Sequence, residues 1–220
     1  MAIFLDHVFI TCEVGAPEAD VLLAQGFVEG SGNVHPGQGT ANRRFFFSNF
    51  MIELLWVCDP TEATGNAVLS TGLWERWSRR GEGASRFGIV YGGTATPGSS
   101  PLLATQSYFP AYLPTGLNIE IVCGLQSAEP AIFWMPWLGA DRRNRREPID
   151  HAASIREITG VAIGVPNPDA LSQAARRLCE PGLLGYFRSA APILEIRFRS
   201  HEEQSIDCRP RLPLVFRGCS

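Results

Sequence analysis

Apolar and polar side chains alternate along the first sixty residues in a way that predicts five elements. A helix signal, with Pro17 at its start and Gly26 after its end, separates one strand from three others. The period-two pattern of apolar positions identifies the strands, and Asp59-Pro60 ends the last of them. The predicted order is therefore strand, helix, strand, strand, strand, over residues 3–12, 18–25, 27–34, 43–48 and 51–58.

The middle of the chain predicts a short helix and three further strands. Residues 73–80 have a helical pattern, and apolar runs at 87–91, 117–123 and 131–137 are strand candidates. The segment between the first two of these strands is rich in Gly, Pro, Ser and Thr, as expected of a long surface loop. The run DRRNRRE at 141–147 is almost wholly charged, and we expect it to be solvated.

The opening pattern returns near residue 158. A strand at 158–165, a helix at 169–178 and strand candidates at 183–188, 192–199 and 212–216 repeat the first series. A repeat of this size indicates gene duplication and a sheet shared by two halves. We therefore predict an α+β fold in which paired βαβββ modules form a curved mixed sheet around a cleft, with the helices outside. Residues 1–60 would be the first module, 61–150 a connecting helix, loops and additional strands, and 151–220 a second, divergent module of one compact domain.

Composition narrows the possible functions. The net charge of −3 argues against nucleic acid and anionic membrane as partners, and no apolar run is long enough for a membrane span. All 19 basic residues are Arg, so a Walker-type phosphate loop and a Schiff-base mechanism, which both need Lys, are excluded. We expect no nucleotide cofactor. The six cysteines contain no C-x-x-C pair and the start lacks a basic leader, so we expect a cytoplasmic protein without a zinc ribbon.

Three motifs in the first sixty residues resemble those of a known superfamily. They are LDHVFI at 5–10, HPGQGTANRR at 35–44, and MIELLWV at 51–57 followed by Asp59-Pro60. Together with the doubled strand and helix order, they resemble the glyoxalase-like members of the vicinal oxygen chelate superfamily. The resemblance covers the first sixty residues well and the remainder loosely. It implies the paired-module fold and says little about the substrate.

The resemblance also implies a metal site. In metal-dependent members, residues on the first and fourth strands of each module bind a divalent cation, and the matching positions here are His7 and Glu53. Such ligands suit Zn²⁺, Fe²⁺, Mn²⁺ or Ni²⁺. Gly160 falls opposite His7 in the repeat, so the source of the remaining ligands is open. Glu120 or Glu195 could complete the set or act as the catalytic base.

Other residues are candidates for the cleft itself. His35 lies in a Gly-rich loop that could close over a pocket and take part in proton transfer. Asn42 follows in the same motif, and in a regular strand one of Arg43 and Arg44 faces inward, where it could bind a substrate carboxylate or phosphate. Trp134 and Trp137 are candidates for an aromatic pocket wall. Each candidate also has a purely structural alternative. His35 could be an exposed turn residue, Asn42 could form a hydrogen bond within the turn, the inward arginine could pair with Glu53, and the tryptophans could be ordinary core residues.

Two functions of different classes follow from these expectations. The first is an enzyme, a divalent-metal-dependent lyase, isomerase or dioxygenase acting on a small oxygenated molecule. The second is a metal-free protein that binds or sequesters a small molecule in an aromatic cleft. The His7 and Glu53 pair favours the enzyme, whereas Gly160 favours the binding protein. In both hypotheses the partner is a small molecule, and a homodimer is compatible with either.

Overall fold

The computed structural model describes residues 3–93, 103–139, 146–179 and 184–219, so most of the run at 141–147 lies outside the described residues. The chain is mostly β-structure with short helices. The strands are β1 (Phe4–Thr11), β2 (Asn33–His35), β3 (Thr40–Phe46), β4 (Met51–Val57), β5 (Phe87–Gly92), β6 (Thr105–Tyr108), β7 (Ile119–Val122), β8 (Ala131–Met135), β9 (Ile158–Val165), β10 (Leu184–Arg188), β11 (Ile193–Arg199), β12 (Gln204–Asp207) and β13 (Leu214–Cys219). The α-helices are α1 (Ala19–Ala24), α2 (Pro60–Ala63), α3 (Leu73–Ser78) and α4 (Gln173–Arg177).

The first sheet has eight strands in the order β2-β3-β4-β1-β5-β8-β7-β6. Its two halves have matching strand directions, because β1 is parallel to β4 and β5 is parallel to β8. The halves meet where β1 and β5 pair in antiparallel fashion. The sheet is mixed and remains open at β2 and β6, which confirms the predicted α+β class with paired modules around a curved sheet.

The second sheet repeats the five central strands of the first. Its order is β10-β9-β11-β13-β12, and its sequence of parallel and antiparallel pairs matches that of β4-β1-β5-β8-β7. Even a β-bulge recurs: β1 has one extra residue, Asp6, against β5, and β9 has one extra residue, Thr159, against β11. This register sets Gly160 at the position that His7 has in the first sheet.

The strands are divided between the two sheets in a different way from the prediction, in which the two halves of the repeat shared one sheet. The strands that complete the first sheet come from residues 87–135, whereas the repeat near residue 158 forms a sheet of its own. Apolar periodicity identifies a strand but not its neighbours, so the sequence alone could not assign them. The predicted strand at 27–34 is also shorter than expected, because pairing with β3 begins only at Asn33. The chain's division at residues 60 and 150 stays a prediction.

A single hydrophobic core joins the two sheets. Its buried side chains include Ile52 and Ile89 from the first sheet and Ile196 and Phe216 from the second. Phe27 stacks on Phe216 with 4.7 Å between ring centroids, so the segment before β2 is anchored in this core. A separate apolar cluster, which includes Phe9 and Phe133, lies on the other face of the first sheet.

The helices are short and lie beside the sheets. In α1, Ala19 and Leu22 are fully buried in the shared core. Asp59 caps α2 by accepting hydrogen bonds from the backbone N–H groups of Thr61 and Glu62. None of the helices in the described part of the chain has the length and apolar character that a membrane crossing requires.

We expect Phe216→Ala to lower the free energy of unfolding by about 3–5 kcal/mol, because it removes a fully buried ring between the sheets. Tryptophan fluorescence during denaturant unfolding measures this, and all five tryptophans precede residue 138, outside the second sheet. A shift of the fluorescence midpoint shows that the sheets unfold together. The exposed Val14→Ala variant is the control. An unchanged midpoint for Phe216→Ala would contradict the shared core.

Candidate functional site

A cleft of about 400 Å³ lies on the face of the first sheet that points away from the second sheet. Side chains from both halves of the sheet and from the neighbouring loops form its walls. The lining residues include Asp6, His7, Phe9, His35, Gln38, Asn42, Arg44, Phe46, Glu53, Val90, Tyr108, Tyr112, Ile119, Phe133, Met135, Trp137, Arg146 and Glu147. The half built by β1 to β4 is polar, and the half built by β5 to β8 is apolar.

Strand alternation decides which side chains enter the cleft. On β4, Met51, Glu53 and Leu55 line the cleft, whereas Ile52 and Leu54 belong to the shared core. The bulge in β1 interrupts this rule. Because Asp6 is the extra residue there, both it and its neighbour His7 line the cleft.

Asp6, His7 and Glu53 form the centre of the polar half. The His7 Nδ1 lies 2.6 Å from Asp6 Oδ2, and its Nε2 lies 3.5 Å from Glu53 Oε2. All three residues are buried, with Asp6 only 1% exposed and the other two 7% exposed. The imidazole is therefore fixed between two carboxylates, with its Nε2 edge directed at Glu53.

Glu53 is held as a carboxylate. Burial by itself raises the pKa of this carboxyl, but the hydrogen bond and electrostatic attraction of His7, with those of His35 and Asn42, outweigh it and lower the pKa to about 2. Asn42 donates from its Nδ2 to Glu53 Oε1 over 2.5 Å. The Asn42 Oδ1 in turn accepts from the backbone N–H of Asn33, which fixes the orientation of the amide.

His35 lies at the end of β2, beside a turn that returns the chain to β3. Its Nδ1 is 2.8 Å from Thr40 Oγ1, and its ring centroid is 4.8 Å from that of Tyr112. Burial lowers the pKa of His35, so its imidazole is neutral at neutral pH. Gly39 makes the turn possible: its φ is +71°, and a Cβ there would lie 2.3 Å from the carbonyl oxygen of Asp59.

Gln38 and Tyr112 connect this turn to the other half of the sheet. Gln38 donates from Nε2 to Thr40 Oγ1 over 2.7 Å, and the Tyr112 hydroxyl donates to Gln38 Oε1 over 3.2 Å. Tyr112 belongs to the loop between β6 and β7, so this bond joins the two halves across the cleft. Burial raises the pKa of Tyr112, which keeps its hydroxyl protonated as a donor.

The two arginines of β3 face opposite sides of the sheet. Arg44 lines the cleft, where its Nε donates to the carbonyl oxygen of Ser31 over 2.7 Å. Arg43 points the other way and pairs with Glu29, which together with Asp20 raises its pKa. Of the pair named from the sequence, only Arg44 is thus in contact with the cleft.

Aromatic and aliphatic side chains form the second half of the cleft. Val90 of β5 lies directly beside His7 of β1, and Phe133 and Met135 follow on β8, the next strand. The ring of Phe9 lies 5.8 Å from that of Phe133, between centroids, and continues the apolar surface toward the polar half. Tyr108 and Ile119 add to it from β6 and β7.

Besides Arg43, three residues named from the sequence do not join the cleft. Glu120 is on the other face of β7 from Ile119, where it accepts hydrogen bonds from Ser107 and Asn118. Glu195 lies in the second sheet, paired with Arg197 and Arg217. Trp134 packs against the shared core and donates from Nε1 to the carbonyl oxygen of Gly93. Of the two tryptophans named from this strand, Trp137 lines the cleft.

The donor set of the cleft fits a resident metal ion poorly. His7 and Glu53 are adjacent, but the facing positions on β5 and β8 are Val90, Phe133 and Met135, with no imidazole or carboxylate among them. A catalytic zinc site takes three protein ligands. Within the residues that the structure describes, no group of three or more His, Cys, Asp and Glu side chains is arranged to hold a metal ion.

Asp6, Gln38 and Tyr112 line the site but were not found from the sequence. Asp6 had one available signal, since an acid next to His7 in an otherwise apolar strand needs a partner. Gln38 belongs to the HPGQGT motif, yet nothing in the motif says that its amide would be buried. Tyr112 lies in a loop without periodicity, and only the tertiary structure brings it to His35.

Comparisons with known proteins support the fold. No family model matches the chain, and no curated protein sequence matches it. The chain is similar to the crystal structure of a hypothetical protein from Staphylococcus aureus, with 11% identity, 99% of both chains covered and a TM-score of 0.55. At this identity the similarity shows the fold alone, and it extends over the whole chain.

Two enzymes are among the more distant structural neighbours. Methylmalonyl-CoA epimerase from Mycobacterium tuberculosis has 13% identity and a TM-score of 0.41, with 60% of this chain and 86% of that chain covered. A mutant of 4-hydroxymandelate synthase from Streptomyces coelicolor has 13% identity and a TM-score of 0.39, with 97% of this chain and 60% of that chain covered. The conclusion about the fold rests on the full-length match and on the strand order.

The low pKa of Glu53 predicts how stability depends on pH. A carboxyl with a pKa of about 2 when folded and 4.5 when unfolded contributes stability above about pH 4.5, and this contribution disappears as the pH falls through 2. Its size is on the order of 3 kcal/mol. We expect the wild type to exceed Glu53→Gln in unfolding free energy at pH 7, with the difference shrinking steadily below pH 4.5.

Urea unfolding at a series of pH values measures this difference. Glu82→Gln, which removes an exposed carboxylate from the surface, is the matched control and should show no comparable trend. A difference between wild type and Glu53→Gln that stays constant over the whole pH range would contradict the assignment of Glu53 as a buried carboxylate.

Proposed function

We propose that this chain, which has the glyoxalase-like fold of the vicinal oxygen chelate superfamily, binds a small molecule with an apolar body and a hydrogen-bond-donating group. The observation that carries the proposal is the division of one cleft into a polar half around Glu53 and an apolar half around Phe133. The volume of about 400 Å³ is that of a site for a small organic molecule. In this proposal the donating group binds Glu53 directly.

The charge state of Glu53 supports a binding role over general-base catalysis. A general base is most effective when its pKa is near the working pH, whereas His7, His35 and Asn42 overcome the effect of burial and lower the pKa of Glu53 to about 2. Such a carboxylate accepts hydrogen bonds strongly and takes up protons poorly. It suits the recognition of an ammonium, amidinium, amide or hydroxyl group, which would form a charge-assisted hydrogen bond.

The apolar half of the cleft provides the apolar surface that a ligand would bury on binding. Val90, Phe133 and Met135 have no hydrogen-bonding side-chain groups, so a polar ligand group placed against them would lose its hydrogen bonds with water. An aromatic or aliphatic body is therefore favoured on this side. His35 and Tyr112 lie across from it and limit how far a ligand can extend toward β2.

Binding of simple aromatic probes tests the proposal. We expect aromatic amidines, amines and amides to bind the wild type in ligand-observed NMR, and Glu53→Gln to weaken their binding about tenfold, because it removes the charge from the acceptor. Glu120→Gln changes the same residue type outside the cleft and should leave the affinity unchanged. Failure of all probes to bind, or equal affinity for the Glu53 variant, would refute it.

A divalent-metal-dependent lyase, isomerase or dioxygenase is the second candidate. The observation that favours it is the hydrogen bond between His7 and Asp6, because a metal-binding His commonly uses its other nitrogen in this way. In this candidate His7 and Glu53 would hold the ion, and the ion would act as a Lewis acid. The remaining positions would be left to water or to substrate.

Metal analysis separates the two candidates. The second candidate predicts near-stoichiometric Zn²⁺, Fe²⁺, Mn²⁺ or Ni²⁺ in protein purified without chelator, lost in both His7→Ala and Glu53→Ala. The first predicts that treatment with a chelator leaves probe affinity unchanged. Mass spectrometry of the purified protein and NMR titration after dialysis against a chelator provide the two measurements. Circular dichroism of both variants checks that they remain folded.

A further inference from the structure

Arg44 is held at the rim of the cleft in a fixed orientation. We use "the rim" for Arg44, Arg146 and Glu147, the charged lining residues that keep contact with solvent. The Arg44 guanidinium donates from Nε and Nη2 to the backbone oxygen and the hydroxyl of Ser31, over 2.7 and 2.8 Å. It also lies 5.1 Å from the ring centroid of Phe46. These contacts leave Nη1 without a hydrogen-bond partner among the described residues.

Arg146 brings a second positive charge to the same side. It is exposed, it lines the cleft, and within the described part of the chain it forms no hydrogen bond or ion pair. Its neighbour Glu147 accepts hydrogen bonds from the backbone N–H and the hydroxyl of Ser31. Ser31 therefore ties the segment of Arg146 to Arg44, so that the two arginines share one edge of the cleft.

The charges of the cleft are separated along its depth. The buried carboxylates of Asp6 and Glu53 lie at the bottom, and the two arginines lie at the rim. Glu147 offsets part of the positive charge, but its carboxylate is engaged by Ser31. Arg44 is the direct neighbour of Glu53 across β3 and β4, so the rim lies on the side of the polar half, and the apolar half extends from Glu53 toward Phe133. A ligand matched to this arrangement has an apolar body against Phe133 and, on its polar side, a donor for Glu53 and a negative charge for Arg44.

We propose that the ligand of this cleft carries an anionic group, a carboxylate or a phosphate, that binds to Arg44 and Arg146 at the rim. The inference rests on the proposed function, since it places the rest of the same ligand against Phe133 and Glu53. Guanidinium groups bind both anions through paired, charge-assisted hydrogen bonds. Arg44 supplies a preorganised donor because Ser31 already fixes its side chain.

The second sheet shows what an arginine pair looks like when it is already neutralised. Arg197 and Arg217 are direct neighbours on β11 and β13, and both donate from Nε to the carboxylate of Glu195. At the rim of the cleft, by contrast, no described carboxylate pairs with Arg44 or Arg146 within ion-pair distance. The pair in the second sheet is therefore a matched control, with the same residue type and the same change of charge.

The test compares each anionic probe with a counterpart, called neutral, in which an uncharged group replaces the anionic one. The pairs are 4-(aminomethyl)benzoate with its primary amide, 4-(aminomethyl)benzamide, and phenyl phosphate with phenol. Affinities are measured by NMR titration for the wild type, Arg44→Gln/Arg146→Gln and the control Arg197→Gln/Arg217→Gln. We expect the acids to bind the wild type about tenfold more tightly than their neutral counterparts. This preference should disappear in the rim variant and persist in the control variant.

The outcomes distinguish the two proposals. Neutral probes that bind as tightly as the acids would overturn the anion site and leave the proposed function intact. A preference that is lost equally in both double variants would also overturn it, because the effect would then come from overall charge. If neither acids nor neutral probes bind, the proposed function and the inference fail together. A stronger preference for phosphate than for carboxylate, or the reverse, identifies which anion the rim selects.

Discussion

The two faces of the first sheet are committed to different neighbours, and the rest of the structure depends on this. One face packs against the second sheet in a shared core, and the other face forms the cleft. Each strand must therefore send alternate side chains into the core and into the site. On β4, Ile52 and Leu54 therefore pack in the core, and Glu53 lines the cleft. A shift of one residue in the register would bury Glu53 in the apolar core between the sheets, away from His7 and Asn42.

The cleft has one polar and one apolar half because the two halves of the first sheet differ in sequence while sharing a topology. The bulge in β1 directs both Asp6 and His7 into the cleft, and Asn42 from β3 completes the hydrogen bonds of Glu53. On the other side, Val90 and Phe133 take the facing positions. A buried carboxylate is stable here only because its partners are preorganised on neighbouring strands. The second sheet shares the strand order but has Gly160 where the first sheet has His7.

The candidate site could be predicted in part. The motifs of the first sixty residues led to His7, His35, Asn42, Arg44 and Glu53, all of which line the cleft. They belong to strands that are consecutive in sequence, so local pattern carries the information. Predictions for the rest of the chain were weaker, since Glu120, Glu195 and Trp134 lie elsewhere. An acidic residue in an apolar strand indicates that it has a partner, but the sequence does not say which one. For Glu195 the partners are two arginines of the second sheet and not a ligand or metal in the cleft.

The sequence by itself determined the strand and helix order, the doubled pattern, the absence of lysine chemistry and several of the polar residues of the first half of the cleft. Periodicity and local motifs carry these features because they depend on residues close in the chain. Only the tertiary structure decided that residues 87–135 complete the first sheet, that Tyr112 meets His35, and that Arg44 and Arg146 share one rim. These features depend on pairing between distant segments, which is set by the packing of whole sheets and leaves no periodic trace in the sequence.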